Sequence, residues 1–324
     1  MQKKFLMWCG CWLLVWMSFN HTAEAQAPIP AAPDTVKIGC YVISLHDFNF
    51  RDKEYIARFW LWLLYDNEEL DFDDDVEVPN AKEIHFDEVL IDSLDHYKWV
   101  QMKMRCIMKQ SWRVRDYPFD HQNLKIVVEN AMYDARTMVF SPDTIGKFYD
   151  PELTLEGWKI TDFNIHTGIS QYATGFGDTS LTESEYGKFT IDIRIERDAW
   201  GLFLKVFLGM YVSFAIAFVS FFIDAQHIEP RFGLQVGGLF GAVGNKYVID
   251  SFLPETSELT LVDMLHGITF VFLFVITAFS ALSLRYEDEG KLKKSEKTDR
   301  LMAWLLGIIY VVLNLILIMI AIYR

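Results

Sequence analysis

Cysteine is scarce in this chain. Of the four present, Cys9 and Cys11 fall in an N-terminal apolar run, which leaves Cys40 and Cys106 for the folded protein. One disulfide is the most such a pair allows, so a disulfide framework is excluded, and two buried free thiols are the simpler reading. No CxxC or Cys/His spacing is present to hold zinc. Positive charge is also short: 30 Lys and Arg stand against 44 Asp and Glu, a net charge of −14. That balance, carried mostly by residues 26–199, argues against nucleic acid and anionic lipid as electrostatic partners. It suits a surface that collects cations, or one that is simply soluble. Catalytic signatures are missing too: no HExxH, GxSxG, P-loop or Cys/His nucleophile pattern occurs. The chain therefore does not read as an enzyme, and an exported enzyme on a membrane anchor is the weakest of its function classes. It has no internal repeat and no long low-complexity linker.

Long apolar runs are what the chain does have. The first, residues 5–19, follows Lys3 and Lys4 and precedes Ala23-Glu24-Ala25. This is the pattern of a secretory signal cleaved before Gln26, so residues 1–25 are set aside from the fold, a fifth membrane span being the alternative. Four further runs, 200–223, 232–253, 262–284 and 301–323, each reach about 20 residues, enough to cross a hydrocarbon core of roughly 30 Å. The second of these makes a poor anchor. It holds Gly233, Gly237, Gly238, Gly241 and Gly244 together with Asn245, Lys246 and Asp250. Each interior glycine costs about 1 kcal/mol of helix propensity, and each charge about 2.5–3.5 kcal/mol on insertion. Such a helix faces protein or water rather than lipid. Lys246 and Asp250, four apart, are placed to pair on one helix face or across subunits. Residues 285–300 carry Arg285, Lys291, Lys293, Lys294, Lys297 and Arg300, whereas 254–263 carry no Lys or Arg. The positive-inside rule puts the basic loop in the cytoplasm and exports residues 26–199.

The exported half alternates short Val-, Ile-, Thr- and aromatic-rich segments with turn clusters, the pattern of an all-β domain. Strands are expected at 36–45, 55–65, 85–91, 97–111, 123–129, 137–140, 157–167 and 188–196. Phe189, Ile191, Ile193 and Ile195 alternate with Lys188, Thr190, Asp192 and Arg194. This fits one two-sheet, immunoglobulin-like sandwich over 26–199, followed by a four-helix membrane domain over 200–324. The acidic group Asp71, Asp73, Asp74 and Asp75 is a weak candidate for a divalent cation that modulates the protein. It lacks the EF-hand glycine and terminal glutamate, and a solvated loop is the simpler reading. No cofactor is expected.

The run Trp112-Arg113-Val114-Arg115-Asp116-Tyr117-Pro118-Phe119-Asp120-His121-Gln122-Asn123-Leu124 is more specific. It resembles the Pro-loop of pentameric ligand-gated ion channels, the Cys-loop receptor superfamily, in its bacterial branch. The family pattern, aromatic-Pro-Phe-Asp-x-Gln, is matched from Tyr117 to Gln122. The family's cysteine pair would fall at Gln110 and Leu124 and is absent, as in bacterial members. Tyr65-Asp66-Asn67-Glu68-Glu69-Leu70 resembles the family's second-strand end, and Arg231 and Pro254 bracket the second span at the family's spacing.

The resemblance implies a multi-pass homopentamer in a bacterial inner membrane, with its β-domain periplasmic or extracellular. Permeant ions and membrane lipid are then its partners, and a small agonist opens it. The second span would line the pore. Its expected face runs from Glu229 and Arg231 through Gly233, Gly237, Phe240, Gly244, Tyr247 or Val248, to Ser251. Family members usually carry leucine where Phe240 stands, so a Phe240 ring is expected as a gate by dewetting, with glycine-mediated helix packing as the alternative. A Glu229 ring favours cations, although Pro230 before the arginine resembles anion-selective members. The agonist box would comprise Trp60, Tyr133, Tyr172, Phe176 and Tyr186. Such a box suits an amine by cation–π attraction, but glutamate at 77, where the family usually has Trp, departs from the pattern. Protons are a second candidate signal through His85, His96, His121, His166 and His266. Coupling between the halves is expected at Asp116, Tyr117, Pro118, Phe119 and Asp120, with Arg197 as the partner of the acid, and at Pro254. A non-conducting membrane sensor of the same fold is the competing function.

Overall fold

The computed structural model describes residues 32–72, 75–94, 96–146 and 148–324; the signal-peptide reading of residues 1–25 lies outside the described residues. Among the described residues, nine strands precede the helices: β1 (Asp34–Asn49), β2 (Glu54–Tyr65), β3 (Val76–Glu77), β4 (Ala81–Leu94), β5 (Tyr97–Lys109), β6 (His121–Asn130), β7 (Met138–Pro142), β8 (Trp158–Tyr172) and β9 (Ser184–Arg197). They form two sheets, ordered β4-β5-β2-β1-β7 and β3-β6-β9-β8. Period-2 patterning dictates the sandwich. In β2 every second residue, from Tyr55 through Ala57, Phe59, Leu61 and Leu63 to Tyr65, is buried. In β9 Phe189, Ile191, Ile193 and Ile195 are buried and meet that face. Only β3, two residues long, escaped sequence reading, because so short a strand has no period to detect. Cys40 and Cys106 are free and buried. Burial pushes both thiols up to about 12.

Four helices follow: α1 (Ala199–Val219), α2 (Ile228–Asp250), α3 (Leu261–Asp288) and α4 (Leu292–Ile322). A 3-10 turn, Ser220–Phe222, extends α1. Only Asp198 separates β9 from α1. The span comprising α1 and its 3-10 turn, together with α3 and α4, is long and apolar enough to cross a membrane, which makes this a membrane protein. α2 is not among these three spans, as its glycines and charges lead one to expect. It starts four residues before the expected run, with Pro230 in its first turn, where a missing N–H costs nothing.

The basic segment 285–300, read as a loop, is mostly helix. α3 runs on to Asp288, α4 begins at Leu292, and Gly290 at φ 72° makes the turn between them. Lys, Glu and Arg are strong helix formers, and a count of apolar residues alone ends such helices too early.

α1 and α2 pack closely because of small residues. A Cβ added at Gly238 would lie 2.5 Å from the Ser213 carbonyl oxygen and 2.9 Å from the Ala217 Cβ. One at Gly241 would strike the Ser213 hydroxyl, whereas Gly233, Gly237 and Gly244 have open space. The close-packing glycines are therefore Gly238 and Gly241, on the side of α2 that meets α1. One hydrophobic cluster runs without a break from the sandwich core (Phe59, Ile126, Ile193) into the helices (Phe203, Phe207, Ile249, Leu265).

Candidate functional site

Three of the expected box residues meet at the end of the β8–β9 hairpin. The ring centroids of Tyr172 and Phe176 are 5.4 Å apart, those of Tyr172 and Tyr186 5.9 Å, and those of Phe176 and Tyr186 6.2 Å. Phe176 is 62% exposed and sits at φ 49°, a left-handed conformation a bulky residue holds only at a cost. Behind the rings lies Glu129, 5% exposed, which accepts hydrogen bonds from the Tyr172 hydroxyl at 2.8 Å and the Ser170 hydroxyl at 2.5 Å. Glu77 is its direct cross-strand partner. Burial, then the hydrogen bond and charge of Glu129, then the charge of Glu77, push the Tyr172 phenol up to about 12. Tyr172 therefore stays neutral and donates to the carboxylate.

Two carboxylates behind three aromatic rings attract a cation by charge and by π-face together. Sequence reading missed Glu129. Its signal was a buried acid at the apolar end of β6, where the preceding residues alternate cleanly.

The other two box residues lie elsewhere in the chain. Trp60 is on the opposite sheet, with the Lys103 ammonium 5.2 Å over its ring. Tyr133 holds the 69–72 segment: its hydroxyl accepts from the Asp71 backbone N–H at 3.0 Å, and its ring lies 6.0 Å from Phe72. Of the acidic group, Asp73 and Asp74 lie outside the described residues. Among the described residues no three His, Cys, Asp or Glu side chains converge as a metal site.

The junction between sandwich and helices is built on Arg197. Its Nε donates to Asp120 Oδ1 at 2.7 Å and its Nη2 to Asp120 Oδ2 at 3.2 Å; the two side chains are 9% and 2% exposed. The guanidinium also lies 3.9 Å over Trp158, 4.8 Å over Phe50 and 5.1 Å over Tyr117. Gln122 completes the cage, donating to Asp120 Oδ2 at 2.6 Å and clamping the Arg113 backbone in both directions. Asp116, expected as a second acid for Arg197, instead feels Arg324, Arg115 and His121. Burial raises its carboxyl above the usual range, and those charges only partly offset the rise.

From the loop around the Tyr117–Pro118 peptide, Phe119 reaches α1, 5.3 Å from Trp200 and 5.5 Å from Phe203. Tyr117 faces Phe252 beyond the end of α2 at 6.4 Å, and the Leu261 N–H donates to the Arg115 carbonyl at 2.7 Å. Pro254 is buried beside Leu253. The loop thus touches α1, the end of α2 and the start of α3 at once.

On α2, Glu229, Gly233, Gly237, Phe240, Gly244, Tyr247 and Val248 are exposed, as is Ser251 just past its end, with Phe240 at 71% and Tyr247 at 77%. Arg231 departs from the expected face. It is fully buried, with Nη2 and Nη1 on the two Asp299 carboxylate oxygens at 2.6 and 2.8 Å. A guanidinium that finds a bidentate acid inside the bundle has no reason to face outward. Lys246 pairs with Asp250 on its own helix at 2.7 Å and also with Asp263 of α3 at 2.8 Å. His266 is buried, its ring nitrogens against the Val262 carbonyl and the Asn245 side chain.

No protein-family profile matches the chain. Among curated proteins, a "Proton-gated ion channel" of Gloeobacter violaceus is 21% identical over 312 residues, 90% of this chain and 84% of that protein. A "Glutamate-gated chloride channel" of Drosophila melanogaster is 20% identical, over 75% of this chain and 57% of its own length. The "Gamma-aminobutyric acid receptor subunit rho-3" of Homo sapiens is 21% identical, over 57% of this chain and 39% of its own length. The chain thus spans little more than half of the second relative and less than half of the third. These relatives are ligand-gated ion channels, and together with the Pro-loop motif they support placing the chain in the Cys-loop receptor superfamily.

Proposed function

We propose that the chain is one subunit of a homopentameric, cation-selective channel of a bacterial inner membrane, with its sandwich on the periplasmic side. α2 lines the conduction path, and a small cationic amine opens it from between neighbouring sandwiches. The observation that carries this reading is the division of α2. One side is buried through Gln235, Gly238, Ala242 and Ile249. The other exposes Gly233, Gly237, Phe240 and Gly244 to no neighbour in the chain. Glycines left bare along a membrane helix gain nothing from lipid, but they leave room along a pore in which Phe240 is the bulky ring.

Glu229, exposed in the first turn of α2, supplies the carboxylate ring that favours cations. The pair Glu129 and Glu77 behind Tyr172, Phe176 and Tyr186 supports an amine as ligand. Trp60 and the opposite sheet would then be contributed by the neighbouring subunit.

The test is voltage clamp on cells with verified surface expression. Phe240→Ala should conduct without ligand where the wild type is closed. Primary amines should open the wild type, and Glu129→Gln should weaken that response at least tenfold. If acid pH opens the wild type and amines do nothing, protons replace the amine as the signal. Silence of both proteins at equal surface density would favour the non-conducting sensor.

A further inference from the structure

The Arg231–Asp299 pair lies on the side of the bundle away from the sandwich, where α2 begins and α4 has made its second turn. Arg231 is 0% exposed and Asp299 7%. Besides its two contacts with Asp299, the guanidinium donates from Nη1 to the Ile223 carbonyl at 3.1 Å, at the end of the 3-10 turn. Arg231 is therefore held by two other segments of its own chain. Its neighbour two residues back, Glu229, is exposed.

The charges at this level decide the sign of the field. Glu229 and Arg231 alone cancel within each subunit. The N-terminus of α2 adds partial positive charge, which favours anions. Asp299 changes the balance in two ways: it neutralises Arg231, and it draws the guanidinium inward, away from the exposed face.

We propose that Asp299 is a positioning residue that sets ion selectivity. By holding Arg231 inside the bundle it leaves the Glu229 carboxylate as the uncompensated charge at this mouth of the conduction path. The proposal rests on the reading of α2 as the pore helix. It makes selectivity depend on an acid in the last helix, which itself contacts no permeant ion.

The experiment measures reversal potentials in a NaCl gradient for the full-length channel, using Phe240→Ala as background so that current needs no ligand. Asp299→Asn should lower the cation-to-anion permeability ratio several-fold, because Arg231 loses its counter-charge. Arg231→Gln should keep the cation preference, and Asp299→Asn with Arg231→Gln should restore it. A role confined to stability predicts no such rescue of the reversal potential.

If Glu229→Gln leaves the reversal potential unchanged, the pore reading fails. If Glu229→Gln shifts it and Asp299→Asn does not, the pore reading stands and the present proposal is overturned. Should Asp299→Asn fail to assemble, the Arg231→Met, Asp299→Leu variant decides. Apolar replacement of a whole buried pair is commonly tolerated. Retained cation preference in that variant supports sequestration, and its loss refutes it.

Discussion

Arg197 does at one position what a domain interface usually spreads over many. Its guanidinium satisfies a buried carboxylate while covering three aromatic faces, from Trp158, Phe50 and Tyr117. Removing one partner of such a pair leaves the other charged and desolvated, at a cost of about 3–5 kcal/mol. Arg197→Ala should accordingly lower stability by that order, read as the midpoint of unfolding in detergent, and should abolish ligand-evoked current in whatever fraction reaches the surface. Arg197→Lys should recover only part of the stability, since an ammonium cannot present the planar two-pronged contact. The pair was legible in the sequence because the Pro-loop motif and the end of β9 name both residues. The cage around it was not: Phe50 comes from a turn and Trp158 opens β8, and no shared pattern links them. Arg231 shows the opposite failure. A helical-wheel argument placed it with Gly233 and Phe240, and nothing in α2 itself reveals that Asp299, 68 residues later, draws it to another side.

Among the elements, α2 shows how glycines of the same sequence appearance divide by environment. Gly237 and Gly238 are neighbours, yet a Cβ meets nothing at the first and the backbone of α1 at the second. Gly237→Ala should leave assembly intact and gain up to about 1 kcal/mol of helix propensity. Gly238→Ala must push α1 and α2 apart at the Ser213 carbonyl, and assembled protein should fall markedly, as read by size-exclusion of equal expression cultures. The contrast separates helix packing from pore geometry. Strands were easier to read than helix ends. β9 alternates apolar and polar residues from Lys188 to Ile195, and β2 is an apolar and aromatic run buried at every second position, so both were readable as strands. The ends of α3 and α4 are charged stretches whose helicity comes from propensity and not from an apolar face. The hairpin carrying Tyr172 and Tyr186 was readable from its aromatics, while Glu129 needed the register that sets it against Glu77.

At the scale of the whole molecule, the sandwich and the helices share one hydrophobic cluster, and the buried Arg197–Asp120 pair of the sandwich has its arginine two residues before α1 begins, so neither half ends where the other begins. The joint with the least freedom is the covalent one. β9 has Arg197 clamped at its last position, and α1 starts after a single residue, Asp198. There is no slack to take up. One residue inserted at 198 would turn α1 by about 100° about its axis. Phe203, Phe207 and Met210 would then face outward, or Arg197 would be pulled off Asp120. Such an insertion should silence the channel while each half still folds, as circular dichroism of the strands and helices would show. The junction thus acts as a shaft keyed at both ends: the phase of the helix is set by counting residues, and the angle at which the sandwich sits is already written into the face that α1 shows to its neighbours.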